Sequence, residues 1–468
     1  MTKWLIPLAI AGVILVLPAP DGLSIAAWRY TAIFAFVIAG LVTEPVPAPV
    51  VGLIGLCIAA AFRLVAPTPA ASVRWALSGF SNDVVWLIFS ATMFALGYEV
   101  TGLGRRLALV LVKALGHTTL GLGYAVALAD LLLAPFMPSN TARSAGTIYP
   151  IVKSIPPLYG STPEINPRAI GAYLCWTAFA TTSVTSAMFV TSLAPNLLAT
   201  EIAGRVAGVT IGWTDWFLGA LPLGLLLFVL TPLVTYLVYP PTIRRAPEVA
   251  RWAASELVAM GAISRHEIIM AGLAVSALVA WITGSAFIAP ALVSLIVVCL
   301  MVLTGVVSWP QIAGNTRAWT VLIWFGTLVA LADGLGQVGV LTWAAERSGA
   351  ALSGYPVVVT AVLLVAIFFV IHYLFASTTA HTTAVLPAFL AVVIAVPDMP
   401  VEPVVLALVF SIGLQGVLTP YATGPAPVWF SAGYISNRDF WKLGALMGAL
   451  FLLVLLAVEL PYLMYITR

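Results

Sequence analysis

Apolar runs of about twenty residues recur from one end of the chain to the other. That length carries an α-helix across the hydrocarbon core of a bilayer. In the first half the pattern predicts spanning helices at 4–18, 26–43, 47–65 and 84–101. A stretch from Arg105 to Leu115 follows that is too short to span and basic on one side, so it is expected to lie in the interface. Residues 119–156 are too long for one helix and carry a polar cluster at their middle, after Pro135 and Pro138. Each arm is short of a full crossing, which predicts a hairpin that enters partway, turns at the cluster and returns. Irregular backbone at membrane depth is tolerated where it lines a protein-enclosed cavity. A helix at 169–190 is then interrupted at 191–196 and resumes to 206, and 214–239 spans again.

Residues 240–266 hold Arg244, Arg245, Arg251 and Arg265 with Glu248 and Glu256, and read as a surface connector after which the order starts over. Spans are expected at 267–285, 287–306 and 319–337, then a short amphipathic piece with Glu346 and Arg347. A second long apolar stretch, 355–396, again has a polar cluster near its middle. A helix at 402–418 is broken over 419–427, and a last span covers 441–466. The expected organisation is scaffold and interfacial helices at 1–118, hairpin, broken helix and span at 119–239, connector at 240–266, and the same two blocks again at 267–352 and 353–468. This is an all-α polytopic membrane protein of two inverted repeats, with about eleven crossings and two re-entrant hairpins.

Composition agrees. Of 468 residues, 62% are hydrophobic and 8% charged, against about 25% charged in soluble domains, and the mean hydropathy is +1.09. The alternation of barrel strands is missing. The charged opening at Lys3 resembles the start of a signal peptide, but no small-residue cleavage site follows Pro18–Asp21, so it is read as a retained first helix. A net charge of +3 gives no argument for nucleic acid. Cys57, Cys175 and Cys299 stand far apart inside apolar runs and read as packing residues, with neither disulfide, metal nor cofactor role.

Charge also orients the chain. With the N-terminus inside, the inner loops hold Lys3, Arg105, Arg106, Lys113, Lys153, Arg168, Arg244, Arg245, Arg251, Arg265, Arg317, Arg438 and Lys442. The outer loops hold Arg29, Arg63, Arg74, Arg205, Arg347 and Arg468, and Arg143 is set apart. The excess agrees with the positive-inside rule, placing the N-terminus in the cytoplasm and the C-terminus outside.

The candidate chemistry lies in the two clusters. Ser139-Asn140-Thr141-Ala142-Arg143 and Ser377-Thr378-Thr379-Ala380-His381 agree in residue type at the first, third and fourth positions, and each ends on a potential cation. Hairpin tips and helix breaks free backbone N–H groups and aim helix N-termini at a cavity, which suits an anion. Hydroxyl and amide donors of Ser139, Asn140, Thr141, Ser377, Thr378 and Thr379 would then hold one carboxylate per triplet. The plain alternative is that these side chains bond only to their own helix backbone; matched triplets at matched breaks favour the site. Arg143 lies too deep to reach an interface easily, and is either a pathway residue or a latch with Asp130 on the preceding arm. His381 is either a site residue or a packed histidine, as His372 can be. Glu99 and Asp333, near the ends of corresponding helices, are interfacial or coupling carboxylates.

Three stretches, 139–150, 372–384 and 417–427, give the chain its resemblance. S-N-T-A-R-S-A-G-T-I-Y-P, H-Y-L-F-A-S-T-T-A-H-T-T-A and V-L-T-P-Y-A-T-G-P-A-P resemble the exchanger branch of the divalent anion/sodium symporter family. That branch holds bacterial citrate/succinate and tartrate/succinate antiporters and plastid 2-oxoglutarate/malate translocators. The resemblance covers essentially the whole chain. It implies a homodimer in the bacterial inner membrane, an elevator-type motion of the hairpin-bearing domain, and di- or tricarboxylate substrates held by Ser139, Asn140, Thr141, Ser377 and Thr379. Thr423 and Gly424 at the second break, with Thr378, Arg143 and His381, complete the candidate set. Thr378 stands where the sodium-coupled pattern has Asn, and Arg143 and His381 where it has small polar residues. The expected activity is therefore sodium-independent exchange, with sodium-coupled symport, or carriage of another divalent anion such as sulfate, as the alternative. No HExxH, GxSxG or GxGD motif suggests an enzyme, and inverted halves fit a carrier better than a channel.

Overall fold

A computed structural model describes residues 2–284, 287–352 and 354–467. Arg468 of the outer charges, Ser285 at the end of an expected span and Ser353 at an expected block boundary lie outside the described residues. Helices are the only regular elements among the described residues, which also hold one isolated β-bridge, Thr118 to Arg245.

The first half runs α1 (Leu5–Val16), α2 (Ile25–Thr43), α3 (Ala48–Ala61), α4 (Pro69–Ser78), α5 (Asp83–Thr101), α6 (Leu103–Leu115), α7 (Thr119–Leu133), α8 (Tyr149–Ser154), α9 (Gly171–Met188), α10 (Ala194–Ala207) and α11 (Trp213–Val238). α12 (Pro247–Ala259) lies in the connector, a helix inside what the charge pattern marks only as surface. The second half runs α13 (Arg265–Thr283), α14 (Pro290–Leu303), α15 (Trp309–Ala313), α16 (Thr316–Gln337), α17 (Val340–Leu352), α18 (Val357–Ile371), α19 (Thr378–Ala395), α20 (Val401–Leu414), α21 (Ala426–Ser431) and α22 (Asn437–Val454), which continues through a π turn to Ile466. From α2 and from α13 onward the two halves list the same elements in the same order.

Local chemistry sets the boundaries. Ser24, Asn82, Thr118 and Ser436 accept a backbone N–H from the first turn of α2, α5, α7 and α22, satisfying donors that a helix start leaves orphaned. Ser264 and Glu267 form a reciprocal capping box at the start of α13. Gly102, at φ 76°, ends α5 in the left-handed region and lets the chain turn directly into α6. Arg105 and Arg106 of α6 then pair with Glu256 and Glu267, each at 2.5 Å, fastening the amphipathic helix to α12 and α13.

Among the described residues nine helices are long and apolar enough to cross a membrane. Three of them, Thr119–Phe136, Val357–Leu374 and Thr378–Ala395, are hairpin arms. Four stretches expected to span, α1, α3, α14 and Val401–Val417, are apolar but shorter. For the first three the causes are local: Pro18 and Pro20 follow α1, Arg63 turns the chain after α3 at φ 53°, and Gly305 does so after α14 at φ 74°.

The packing is reciprocal between halves. α3 lies against α16, α5 against α14, and α5 and α16 against each other, the pattern that a two-fold relating the halves produces. The innermost helices are α9 and α20. Every residue of α9 is buried, as is nearly every residue of α20. They meet closely because Gly413 has no side chain: a Cβ there would stand 2.5 Å from the Ala187 nitrogen. Small residues at such crossings let membrane helices gain packing energy without a hydrophobic drive.

Candidate functional site

The two hairpins break as their sequences require. α7 tightens into a 3-10 turn at Ala134–Phe136 around Pro135, and the chain restarts at Thr141 as a π-helical stretch to Ile148. α18 tightens at His372–Leu374, and α19 begins at Thr378 with Ser377 as its cap. The two restarts are in register. Ser139 Oγ accepts the Ala142 N–H at 3.2 Å, and Ser377 Oγ accepts that of Ala380 at 3.4 Å. The Arg143 N–H donates to the Ser139 carbonyl, and His381 N–H to that of Ser377, each at 3.0 Å. Each serine thus keeps its own O–H for another partner.

Each hairpin tip is tied to a broken helix. The Ala194 N–H, at the first break, donates to the Pro138 carbonyl at 2.8 Å. His372 Nε2 lies 2.9 Å from the Ala422 carbonyl at the second break. The halves also cross over. Asn140 Nδ2 donates to Thr423 Oγ at 2.8 Å, and the Trp429 indole donates to Ser144 Oγ at 2.9 Å. A Cβ on Gly424 would stand 2.0 Å from Thr141 Oγ, so only glycine lets the second break close on the first hairpin.

Between the tips and the outer elements lies a cavity of about 1090 Å³. Ser139, Asn140, Thr141, Ser377, Thr378, Thr379, Thr423 and Gly424 all line it, so eight of the ten candidate residues meet at one surface. Its remaining wall includes the first break (Leu193–Pro195), α5 (Thr92, Glu99), α15 and the start of α16 (Gln311, Asn315, Arg317) and Trp324 farther along α16, with Glu44 after α2. None of these is within the matched motifs. Apart from the break, the sequence marks only Glu99 of these, by its place near the end of the helix that leads to the first hairpin. Glu99 faces the cavity, whereas Asp333, its counterpart in the second half, pairs with Arg205 at 2.7 Å.

Arg143 and His381 do not line the cavity; they stand behind it. The Arg143 side chain is wholly buried. Its Nε lies 3.1 Å from Asp130 Oδ2. Nη1 donates to the carbonyls of Met137 and Ser192 at 3.0 and 2.8 Å, and Nη2 to the hydroxyls of Ser186 and Thr185 at 3.0 and 3.3 Å. Asp130 in turn accepts from Thr182 at 3.3 Å and from Thr185. A guanidinium taken out of water needs every donor matched, and this one has found its partners on α7, at the hairpin tip, on α9 and in the first break. His381 is packed among Phe368, Phe375 and His372, with Nδ1 2.8 Å from Gln415 Oε1. That amide oxygen only accepts, so Nδ1 carries the proton, and Nε2 has no partner among the described residues. The bond holds the second hairpin to the 3-10 turn that follows α20.

Comparison with known proteins agrees with this architecture. The family model described as the sodium:sulfate symporter transmembrane region matches residues 1–467. Proteins named L-tartrate/succinate antiporter from Escherichia coli (strain K12) and Shigella sonnei (strain Ss046) are each 45% identical over 471 residues, covering 98% of this chain and 97% of theirs. The crystal structure of the YdaH transporter of Alcanivorax borkumensis superposes with a TM-score of 0.57 at 17% identity, over 94% of this chain and 99% of that one.

Proposed function

Because the chain belongs to the family of the sodium:sulfate symporter transmembrane region, we propose that it is a secondary transporter exchanging small dicarboxylates, such as tartrate and succinate, across the bacterial inner membrane. It is a carrier and not an enzyme. The observation that carries the reading is the convergence of two register-matched triplets on one cavity. A dicarboxylate has two acceptor ends, and each tip offers hydroxyl donors. The first tip adds the Asn140 amide, and the second adds the N-terminus of α19, where freed N–H groups favour an anion. The full-length relatives, named for tartrate and succinate, narrow the anion to the dicarboxylate class.

The remaining assignments follow from the same reading. Ser139, Asn140, Thr141, Ser377, Thr378, Thr379, Thr423 and Gly424 hold the substrate, while Arg143 and His381 support the tips from behind. The hairpins and broken helices (119–239 and 353–468) move against the scaffold helices, as an elevator within a homodimer. The N-terminus is cytoplasmic and the C-terminus outside, so the end of the cavity bearing Glu99 and Arg317 opens to the cytoplasm. Independence from sodium is supported by Arg143, whose guanidinium fills a nest of carbonyl and hydroxyl oxygens of the type a hard cation would take.

The test is counterflow in proteoliposomes. Vesicles loaded with unlabelled succinate are expected to accumulate labelled succinate and tartrate, and competition by a panel of tricarboxylates, 2-oxo acids and sulfate ranks the class. Accumulation driven by internal sulfate and by none of the carboxylates would overturn the dicarboxylate reading.

A further inference from the structure

The cavity that holds the two triplets is lined by a single cation, and it is not one of the two in the matched motifs. Arg317, in the first turn of α16, is the only Lys, Arg or His among the residues lining that cavity. Its position is electrostatically unfavourable for a helix, because the first turn carries the positive end of the macrodipole. Among the described residues no carboxylate lies within bridging distance of it, although Arg105, Arg106, Arg143, Arg205 and Arg251 all have such partners. An exposed guanidinium placed against its helix dipole, without a bridging carboxylate, on the wall of an anion cavity is poised for an anion that comes and goes.

The geometry points to Arg317 as a one-sided receiver for the dicarboxylate: it draws the dianion into the cavity from the end where α16 begins, and it does so on that side of the membrane only. The inference rests on the proposed exchange site. Arg317 belongs to α16, which packs against α3, α4 and α5, whereas the triplets sit on the hairpin tips. When the tips carry their substrate to the opposite face, Arg317 stays behind. The other charged groups on the same wall, Glu44 and Glu99, are carboxylates that repel a dianion. Without Arg317 an approaching substrate would meet two negative charges and no positive one. Charge at the mouth of a cleft acts mainly on encounter, with effects of about 10-fold to 1000-fold on association at low salt, so the effect belongs in KM and not in the maximal rate.

The experiment uses full-length protein reconstituted in one orientation, with labelled succinate presented separately to each face and unlabelled succinate opposite. Arg317→Gln is expected to raise KM at the α16-start face by about tenfold. The maximal rate and the KM at the other face should stay within about twofold. Arg317→Lys should keep most of the wild-type KM, and Glu99→Gln should lower KM at the same face. The Arg317→Gln effect should shrink at high ionic strength, where the Debye length falls to about 3 Å at 1 M. Equal changes at both faces, or no change at either, would overturn the inference. The site reading is tested apart from it by Asn140→Ala, which should abolish exchange from both faces. Normal transport by that variant beside a one-sided Arg317→Gln effect would sink the triplet site and leave the receiver standing.

Discussion

The fate of Arg143 turns on thirteen residues of sequence and one packed crossing. Asp130 sits on α7, before the tip, and Arg143 on the restart after it, so the hairpin folds the pair together at 3.1 Å with both groups buried. Breaking a buried pair by removing one partner costs about 3–5 kcal/mol, because the other charge is left alone, whereas removing both can be nearly neutral. Arg143→Gln and Asp130→Asn are therefore each expected to lose folded yield and thermal stability in detergent. The double variant should recover most of both. Singles that fold as well as wild type, or a double that adds the two losses, would show that the pair does not hold the tip. The sequence left two readings of Arg143 open, pathway or latch, because spacing along a hairpin does not tell which way a side chain turns at its tip. His381 illustrates the same limit. Its register with Arg143 was legible and is present at the backbone, but Gln415, which fixes the ring, lies thirty-four residues away in the turn that ends α20. The ring packs away from the cavity, so of the two readings of His381 the packed histidine is the one the structure has.

At the scale of elements, the breaks were the most legible features, since Ser, Asn, Thr and Pro inside an apolar run have few explanations at membrane depth. The lengths of α3 and α14 were not legible, because composition stays apolar past the residue where the backbone turns. Nor was the link that closes the far end of the cavity's walls. Arg205, on the resumed helix α10, bonds Glu201 and lies 2.7 Å from Asp333 at the end of α16 opposite Arg317. Glu201 also accepts from Asn82, the cap of α5, at 2.8 Å. This network joins a broken helix to the scaffold, so a carrier whose tips move against α16 must open it in each cycle. Partly exposed ion pairs are worth about 0–1 kcal/mol, enough to bias two states by up to about fivefold. Asp333→Asn is expected to shift the carrier toward the opposite opening. A cysteine at Ala142, which lines the cavity, would report it in a Cys-free background. Membrane-impermeant maleimide added at the Asp333 face should label the Asp333→Asn protein a few-fold faster. Unchanged labelling from both faces would remove the network from the transport cycle.

Over the whole molecule, the repeat of element order was readable before any contact was known, and the reciprocal packing of α3 on α16 and α5 on α14 is its three-dimensional counterpart. What sequence alone did not convey is where the cost of moving an empty carrier resides. With Arg143 paired to Asp130 and His381 packed behind the cavity, no unpaired cation faces the cavity from the hairpins among the described residues. The cost lies in the donors themselves. In the proposed site, hydroxyls at Ser139, Thr141, Ser377 and Thr379, with the opening turn of α19, would meet carboxylate oxygens when substrate is bound and water when the cavity is open. Carried empty through a closed intermediate they would have neither, and each unsatisfied polar group costs about 1–3 kcal/mol. Three or four such groups amount to several kcal/mol, which slows the empty transit by about a thousandfold or more. A loaded site carries its donors satisfied, so substrate on one side must be traded for substrate on the other. Succinate uptake into proteoliposomes should therefore require internal dicarboxylate, and replacing sodium by choline on both sides should leave its rate unchanged. Removing one donor, as in Thr379→Ala, should lower exchange while raising the small residual uptake into empty vesicles relative to it. Sodium-gradient-driven accumulation in vesicles holding no internal dicarboxylate would refute obligatory exchange and restore coupled symport.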